Sequence, residues 1–367
     1  MKLRIGILGT RGIPNHYGGF EQFASFLSVA LVQRGHQVTV YNTSDHPCRE
    51  KEWEGVEIVH RYDPKWMGTA GQFIYDLLCI CHARKKSFDI ILFLGYTSSS
   101  IWSRYCPSRA KILTNMDGLE WKRAKYPAFV KRFLRYAEKM AVQYSDQLIA
   151  DALPIQEYLY DRYKTHAAYI SYGATVKTET DQQLLQLYAI EAGNYFLLIA
   201  RMEPENHIET ILSALVKDPQ QRKILVIGSL TNRYGKKVQA TFSGYRQIIF
   251  TGAIYETPVL DALRAHCAFY FHGHSVGGTN PSLLEAMACG ALICAHDNIF
   301  NRAVLGEEAW YFQSAEDIVT LVAAGIQEDT KTIRRRVLQE KIAAKHSWSA
   351  IVDGYENLFI QSMNAHE

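Results

Sequence analysis

The sequence predicts an α/β fold built from two doubly wound parallel sheets. Short apolar runs of strand length alternate with helical segments along the chain. This alternation loosens near Tyr169 to Val176, and a second series begins at Tyr195. At 367 residues the chain is also too long for a single hydrophobic core. Two domains of the same fold class are therefore expected.

The first series opens with an apolar strand, Leu3 to Leu8, and a glycine-rich loop, Gly9 to Gly19. An amphipathic helix from Glu21 to Arg34 follows, and Gly35 ends it. The later elements of this series are strands at Gln37–Tyr41, Val56–His60, Ile90–Leu94, Lys111–Thr114 and Gln147–Ala150, and a helix at Ala70–Arg84. We expect an N-terminal Rossmann-like domain over residues 1–173.

The second series predicts a C-terminal Rossmann-like domain over residues 174–347, reached through a polar connector at Lys177 to Gln186. Its predicted strands are Tyr195–Ala200, Lys223–Ile227, Gln247–Thr251, Ala268–Phe271 and Ala291–Ala295. The last helix, within residues 348–367, is expected to cross back to the first domain. Ligands of open α/β sheets bind at the carboxyl ends of strands, so the two sheets are expected to face a central cleft.

The composition narrows the class of protein and its compartment. With 48% hydrophobic and 21% charged residues, it is typical of a soluble globular protein. A net charge of +3 is too small to indicate a nucleic-acid partner. Seven cysteines, an odd number without paired metal-ligand spacing, favour a reducing compartment. No stretch is typical of a signal peptide or long enough to cross a membrane, so we expect a cytoplasmic protein.

The stretch from His272 to Gly290 predicts a loop that opens onto a helix at a strand's carboxyl end. Asn280 is a good N-cap, Pro281 suits the first helical position, and Gly290 suits a left-handed stop. Backbone N–H groups at such a helix start favour an anion.

Glu285 is the only formal charge between Arg264 and Asp297. A carboxylate in such an apolar segment needs a partner or an opening to water. Either it accepts hydrogen bonds from the hydroxyls of a ligand whose phosphates lie at the helix start, or it lies on a solvated helix face.

Arg201 directly follows the first strand of the second series, at the edge where ligands bind. Its guanidinium offers forked donors to a diphosphate. The alternative is an ion pair with Glu203 or Glu205.

The first series has its own candidates. Gly18 and Gly19 lack a Cβ and can approach a phosphate closely. Glu21 either bonds a sugar hydroxyl or stabilises the helix N-terminus. Asp117 follows a strand and either contacts a reacting sugar or forms an ordinary Asp-Gly turn.

Two further clusters call for an interpretation. His266, Cys267, His272 and His274 lack a recognised ligand spacing, so we expect a role in loop structure and no metal. Basic residues in the amphipathic segment after Pro127 either rest on anionic lipid or lie on a solvated surface, and they include Lys131, Arg132 and Arg135.

Three motifs carry a resemblance to a known family: Tyr17-Gly18-Gly19-Phe20-Glu21, the run from Ala200 to Asn206, and the run from Pro281 to Gly290. Together they resemble the GT-B glycosyltransferases of family 4. The runs Gly277 to Ser282 and Asp117 to Trp121 are most similar to the branch of bacterial capsule and O-antigen rhamnosyltransferases.

The resemblance implies a GT-B architecture and a retaining transfer of a sugar from a nucleoside diphosphate donor. For this branch the sugar is L-rhamnose and the donor is dTDP- or UDP-linked. The acceptor is a saccharide in surface polysaccharide synthesis, and we expect it to be lipid-linked at the inner face of the cytoplasmic membrane. No cofactor and no essential metal are implied.

The resemblance also assigns residues. Glu285 would hold the nucleotide ribose, Arg201 the diphosphate, and the amides of Thr279 to Ser282 the sugar-phosphate portion. The catalytic candidates are Asp117 and Arg201, the acceptor-binding candidate is Glu21, and the donor-binding candidates are Gly18, Gly19, Arg201, Asn206, Thr279, Asn280, Pro281, Ser282 and Glu285.

Three positions depart from the family pattern. Asn206 stands where a lysine is usual, which places more weight on Arg201. Gly277 stands at the first glutamate of a paired-glutamate motif, so a contact to the donor sugar's hydroxyls is lost or supplied elsewhere. Asp117 replaces a histidine often found in the first domain.

Two rival functions follow from the same residues. The three departures also suit a non-catalytic protein of this fold that binds a nucleotide sugar or a glycan. Gly6, Gly9 and Gly12 loosely resemble the fingerprint of an NAD(P)-dependent oxidoreductase, but the second strand ends in Tyr41-Asn42 without the expected acidic residue.

Overall fold

The structure is a computed structural model that describes residues 1–16 and 18–364. The chain forms two compact units. The first contains Met1–Lys122, Tyr126–Tyr172 and the chain from Trp348 onward. The second contains Gly173–Ser347 together with the short segment Arg123–Lys125, which lies within the first domain predicted from the sequence.

An eight-stranded sheet forms the centre of the first unit. Its strands are β1 (Arg4–Leu8), β2 (Gln37–Thr43), β3 (Glu52–Trp53), β4 (Val56–Arg61), β5 (Ile90–Leu94), β6 (Lys111–Asn115), β7 (Gln147–Ala150) and β8 (Ala167–Tyr169). The order is β3-β4-β2-β1-β5-β6-β7-β8, and every pair is parallel except β3 with β4. Strand order therefore reverses between β1 and β5, where open sheets of this class bind ligands.

Helices of the first unit cover both faces of this sheet, so its central strands are continuous apolar runs, and all five residues of β5 are buried. The helices in this part of the chain are α1 (Gly19–Gln33), α2 (Gly71–Ala83), α3 (Ala128–Tyr144) and α4 (Leu153–Tyr163).

The second unit contains a six-stranded sheet that is parallel throughout. Its strands are β9 (Tyr195–Ile199), β10 (Lys223–Ile227), β11 (Ile248–Gly252), β12 (Phe269–His272), β13 (Ile293–His296) and β14 (Trp310–Phe312). The order β11-β10-β9-β12-β13-β14 places the reversal between β9 and β12. These two strands carry Arg201 and the His272–Gly290 stretch at their carboxyl ends.

Seven helices accompany this sheet in the part of the unit that the structure describes. They are α5 (Ile208–Leu215), α6 (Arg233–Phe242), α7 (Thr257–His266), α8 (Pro281–Ala288), α9 (Ile299–Leu305), α10 (Ala315–Ala324) and α11 (Glu328–Lys345). The apolar faces of α5, α6 and α10 share a core with β9, β10 and β12 that includes Phe196, Leu198, Ile211, Val226 and Phe271.

The last helix, α12 (Trp348–Asn364), belongs to the first unit. The Trp348 ring stacks on Phe26 of α1 with centroids 4.3 Å apart. The Asn115 side chain donates a 2.9 Å hydrogen bond to the buried Tyr355 hydroxyl. Helix α12 therefore completes the layer beside α1, and residues 365–367 of the predicted span lie outside the described residues.

Two sequence predictions about chain organisation differ from the structure. The short strands β3, β8 and β14 were not predicted, because two or three residues give too little periodicity. The polar run at 177–186 is part of the second unit and not a connector ahead of it. There, Lys177 pairs with Asp261 at 2.9 Å, and the Lys177 amide bonds the Ala288 carbonyl. The polar composition of this run therefore reflects the surface of the second unit and not a boundary between domains.

Candidate functional site

Arg201 lies two residues beyond β9 and is exposed. Its carbonyl oxygen accepts hydrogen bonds from the Asn206 side chain at 2.7 Å and the Glu203 amide at 2.8 Å. These bonds close a compact turn from 201 to 206. The Asn206 amide group, predicted to bind donor, is thus used to shape this turn.

The predicted alternative for Arg201, an ion pair with a neighbouring glutamate, is wrong. Lys125 Nζ is 3.1 Å from Glu203 Oε1, and Arg123 Nη1 is 3.8 Å from Glu205 Oε1. Across the described residues Arg201 forms no ion pair. Its guanidinium is available to an anion because the two carboxylates are paired with other basic side chains.

The N-terminus of α8 is capped as predicted. Asn280 Oδ1 accepts from the Ser282 amide at 2.9 Å, and Pro281 occupies the first turn. The Leu283 amide bonds the Asn280 carbonyl at 3.0 Å. The Ser282 amide is therefore already bonded and Pro281 has no N–H, so the predicted set of amide donors to an anion was too large.

The C-terminus of α8 also follows the sequence. Gly290 has a left-handed φ of 67°. Its amide bonds the Met287 carbonyl, and the Ala291 amide bonds the Ala286 carbonyl, each at 3.0 Å. This pair of bonds is a Schellman motif, which confirms the predicted stop.

Glu285 is held by a partner that neither interpretation foresaw. Arg264 Nη2 of α7 lies 2.5 Å from Glu285 Oε2, and Arg264 Nη1 is 3.6 Å from Asp261 Oδ1. The Arg264 side chain is 3% exposed and that of Glu285 is 26% exposed. A buried guanidinium thus fixes a carboxylate that still reaches the surface. The signal was present in the sequence, since Arg264 is the last charge before the apolar segment.

Two histidines line the carboxyl end of β12. The rings of His272 and His274 stack with centroids 4.4 Å apart. Among the described residues, both ring nitrogens of His272 and Nδ1 of His274 are buried without a hydrogen-bond partner. Burial lowers the pKa of His272 to about 3 and the pKa of His274 well below its usual value, so both imidazoles are neutral near pH 7.

The loop that carries His274 is held through its backbone. The His274 carbonyl accepts 3.0 Å hydrogen bonds from the side chains of Asn298 and Asn301. In the described ranges, 1–16 and 18–364, no group of three or more His, Cys, Asp and Glu residues has an arrangement that could hold a metal ion.

The 201–206 turn and the loop ahead of α8 are in direct contact. The Ser275 amide and hydroxyl donate to the Glu205 carbonyl at 3.1 and 2.9 Å. A Cβ on Gly273 would lie 2.0 Å from the Asn206 carbonyl oxygen, so only glycine fits there. The structure thus brings Arg201 and Asn206 together with the segment that carries Thr279, Asn280, Pro281, Ser282 and Glu285.

The first unit places Gly18, Gly19 and Glu21 at the start of α1. Gly18 is the N-cap in an extended conformation and Gly19 is the first helical residue. Glu21 is 5% exposed, and its Oε1 accepts from the Thr10 hydroxyl at 3.0 Å and the Arg11 amide at 2.8 Å. Its visible role is to hold the β1–α1 loop, while Tyr17 of the motif lies outside the described residues.

Asp117 lies two residues beyond β6 in a left-handed conformation with φ of 50°. Its amide donates to Asn115 Oδ1 at 2.9 Å, which is an Asx-turn made by Asn115. Both predicted roles of Asp117 stay predictions. Burial, and then the Asp117 carboxylate, raise the pKa of Tyr172. Asp117 therefore lies at the strand ends of its own sheet beside a buried tyrosine.

Helix α3 has the predicted amphipathic form, with Leu134 and Ala137 buried and Arg132 exposed. The Arg135 guanidinium, however, lies 4.4 Å above the Trp121 ring and is engaged within the protein. Throughout the chain portions that the structure describes, no helix combines the length and apolar character needed to cross a bilayer.

Comparison with known proteins agrees with this architecture. Residues 2–175 match a domain of unknown function, DUF1972, and residues 183–318 match Glycosyl transferases group 1. No curated protein matches the chain at the level of sequence.

Solved structures resemble the chain over almost its whole length. Sucrose-phosphate synthase from Thermosynechococcus elongatus has a TM-score of 0.85 at 16% identity, covering 99% of this chain and 100% of that one. HepE of Anabaena, in complex with UDP and glucose, has a TM-score of 0.77 at 16% identity, covering 98% of this chain and 100% of that one. A glycosyltransferase from Rickettsia africae has a TM-score of 0.75 at 13% identity, covering 99% of each chain.

At these identities the likeness shows the fold, which is GT-B. The predicted family 4 and rhamnosyltransferase branch stay predictions. Residues 183–318, which match Glycosyl transferases group 1, lie in the second unit, and with the GT-B fold this match supports a glycosyltransferase of the GT-B type.

Proposed function

We propose that the protein is a retaining glycosyltransferase that moves a sugar from a nucleoside diphosphate to a saccharide acceptor. The observation that carries the proposal is the exposed guanidinium of Arg201, which forms no ion pair within the described residues and lies at the reversal point of the second sheet. It lies in the group 1 domain and next to the loop that leads into α8. A guanidinium there can bind the diphosphate that leaves.

In the proposed reaction the bond between the sugar's anomeric carbon and the diphosphate oxygen breaks, and a bond to the acceptor oxygen forms. The acceptor hydroxyl's proton passes to the departing phosphate, so no separate base is required. The protein's main contribution is to stabilise the negative charge that develops on the diphosphate. Because Asn206 stands where the family has a lysine, the stabilisation of the diphosphate falls mainly on Arg201.

We further propose Glu285 as the ligand of the nucleotide ribose. Its carboxylate lies one turn inside α8 and is oriented by Arg264. L-rhamnose is the proposed sugar, and dTDP or UDP the proposed carrier, on the strength of the motif resemblance. The neighbour HepE was solved with UDP-glucose, which supports a nucleotide-sugar donor in this fold.

The test is a thermal-shift panel of nucleoside diphosphates and their sugars, followed by an assay of diphosphate release with saccharide acceptors. A donor at one hundred times its dissociation constant should stabilise the protein by about 2.7 kcal/mol. Glu285→Gln should weaken the binding of every nucleotide. Glu328→Gln serves as the control, because the Glu328 side chain is exposed at the start of α11.

The product's anomeric configuration, read by NMR, tests retention. Binding without turnover for any acceptor would favour the non-catalytic alternative. Failure to bind any nucleotide sugar would contradict the proposal as a whole.

We also propose that the acceptor is lipid-linked and that α3 contacts anionic lipid. Supporting this, Arg132 and Phe129 are exposed on that helix, with Phe129 at 74% exposure. Because Arg135 is engaged with Trp121, the test replaces Lys131 and Arg132 with glutamine. Weaker sedimentation with anionic liposomes is expected, with Lys236→Gln plus Lys237→Gln as the control, and unchanged sedimentation would contradict the membrane contact.

A further inference from the structure

Glu205 is a buried carboxylate without hydrogen-bond donors. The residue is 6% exposed, and within the described part of the chain neither carboxylate oxygen has a hydrogen-bond partner. Arg123 Nη1, at 3.8 Å, supplies opposite charge but is too distant for a hydrogen bond. Burying a carboxylate without hydrogen-bond donors is unfavourable. A bound group that donates hydrogen bonds to both oxygens is therefore expected in the functioning protein.

The residues around Glu205 restrict which chemical group can bind it. Glu205 lies between Arg201 and Asn206 in the closed turn, and its carbonyl holds Ser275 of the loop ahead of α8. Two residues further, Gly277 has φ of 134°, and a Cβ built on it would meet nothing within 4 Å. The position at which the resembling family has a carboxylate is therefore bare and open in this chain.

We propose that Glu205 accepts hydrogen bonds from hydroxyl groups of the transferred sugar and so determines donor specificity. This inference rests on the proposed function. A carboxylate repels phosphate, and Arg201 serves the diphosphate, which leaves the neutral O–H donors of the sugar as the chemistry that fits Glu205. The hydroxyl contact missing at Gly277 is thereby supplied from the neighbouring turn.

The rival explanation is structural: Glu205 would only hold the segment Arg123–Lys125 through Arg123. The two explanations differ in what Glu205→Gln changes. Glutamine preserves volume and one acceptor oxygen but removes the charge. If Glu205 is only structural, Glu205→Gln lowers stability and leaves sugar recognition unchanged. If Glu205 binds the sugar, Glu205→Gln lowers only the part of the affinity that the sugar contributes.

The experiment measures binding of UDP, dTDP, UDP-glucose and dTDP-L-rhamnose to the full chain by calorimetry, with melting temperatures recorded for each variant. Glu205→Gln should bind the nucleoside diphosphates as wild type does and lose roughly tenfold in the affinity gained from the sugar, as expected for a hydrogen bond to a charged group. Glu203→Gln is the matched control, because Glu203 is paired with Lys125 and should show no such loss.

Each other result counts against the inference. If Glu205→Gln keeps the sugar-dependent gain, or if wild type has none, Glu205 is not a sugar ligand, while nucleotide binding leaves the proposed function standing. If Glu205→Gln and Arg123→Gln lower the melting temperature equally without changing sugar affinity, the structural explanation replaces it. A wild type that binds none of the four ligands overturns the proposed function and this inference with it.

Discussion

The two glycine-rich loops of this protein differ in how their polar neighbours are used. In the first unit, the loop after β1 is fixed by side chains: Asn42 bonds both the amide and the carbonyl of Ile13, and Glu21 binds the Arg11 amide. In the second unit, the loop after β12 is held by the side chains of Asn298 and Asn301, which bond the His274 carbonyl, and by the Ser275 amide and hydroxyl, which bond the Glu205 carbonyl. The ring nitrogens of His272 and the carboxylate oxygens of Glu205 have no hydrogen-bond partner in the described residues.

This difference separates structural polar residues from candidate ligand-binding ones. Buried polar groups in folded proteins are nearly always hydrogen-bonded, so a group that is bonded internally needs no ligand to explain it. Glu21 falls in that class although its sequence position suggested a sugar contact. The side chains of Glu205 and His272, which lack hydrogen-bond partners within the described residues, are better candidates for contact with substrate.

The largest expected effect sharpens the comparison at the second unit. Arg201→Ala should lower the rate of sugar transfer by roughly 10²–10³-fold, because a charged donor to the leaving group is lost. Arg201→Lys should recover part of it, since the charge remains but the fork does not. The measurement is diphosphate release at saturating donor, with exposed Arg336→Ala as the control. Equal rates in the Arg201→Ala variant and wild type would remove Arg201 from the reaction.

The second effect concerns stability in the same unit. Arg264→Ala removes the buried guanidinium beside Glu285 and Asp261, while Asp261 keeps its pair with Lys177. It should cost about 3 kcal/mol, at the low end for buried ion pairs because Glu285 is partly exposed. A fall of roughly 6–12 °C in melting temperature is expected. Glu285→Gln, which keeps a neutral acceptor for Arg264, should lower it less. The reverse ranking would mean that the pair is not formed.

A third test uses pH to ask whether the unpaired histidines stay neutral. Burial holds the pKa of His272 near 3, below its value of about 6.5 in an unfolded chain, so the unfolded state binds more protons between these values. Stability therefore falls as pH decreases below about 6.5, by about 2 kcal/mol for this group between pH 7 and pH 5. His272→Leu should show a shallower dependence in urea unfolding. Above pH 7 the difference between the two proteins should no longer change, and parallel curves down to pH 5 would contradict the assignment.

The smallest effect tests the first unit. Glu21→Ala removes the acceptor of the Thr10 hydroxyl and the Arg11 amide and should cost about 1–2 kcal/mol of unfolding free energy. Glu21→Gln should cost less because it retains an acceptor oxygen. Should Glu21→Ala instead keep its stability and lose affinity for the acceptor, the two loops would be alike and the original acceptor prediction would be favoured.

Local features of the candidate site were predictable from sequence, and tertiary ones were not. The cap at Asn280 and the stop at Gly290 follow from residues within one turn, and both formed as predicted. The partner of Glu285 lies 21 residues away in α7, and periodicity cannot pair helices. Glu205 stands within the Ala200–Asn206 motif, but its burial depends on how the 201–206 turn packs.

The fold class was predictable because alternating strands and helices in a parallel sheet leave few topologies. The strand ends moved by one or two residues, and three short strands escaped notice, because hydrophobic runs do not mark where hydrogen bonding stops. The departure at Asn206 illustrates the remaining limit. Its residue type showed a missing cation, but only the structure showed the bond to the Arg201 carbonyl.

The grouping of Arg123–Lys125 with the second unit has a practical consequence for dissecting this protein. A truncated fragment of residues 173–347 would discard the basic side chains beside Glu203 and Glu205, leaving two acids without these cations at the edge that carries the candidate site. Chimaeras that exchange halves between related enzymes would meet the same mismatch at one junction. Such hybrids should take Arg123–Lys125 from the same protein as the second unit.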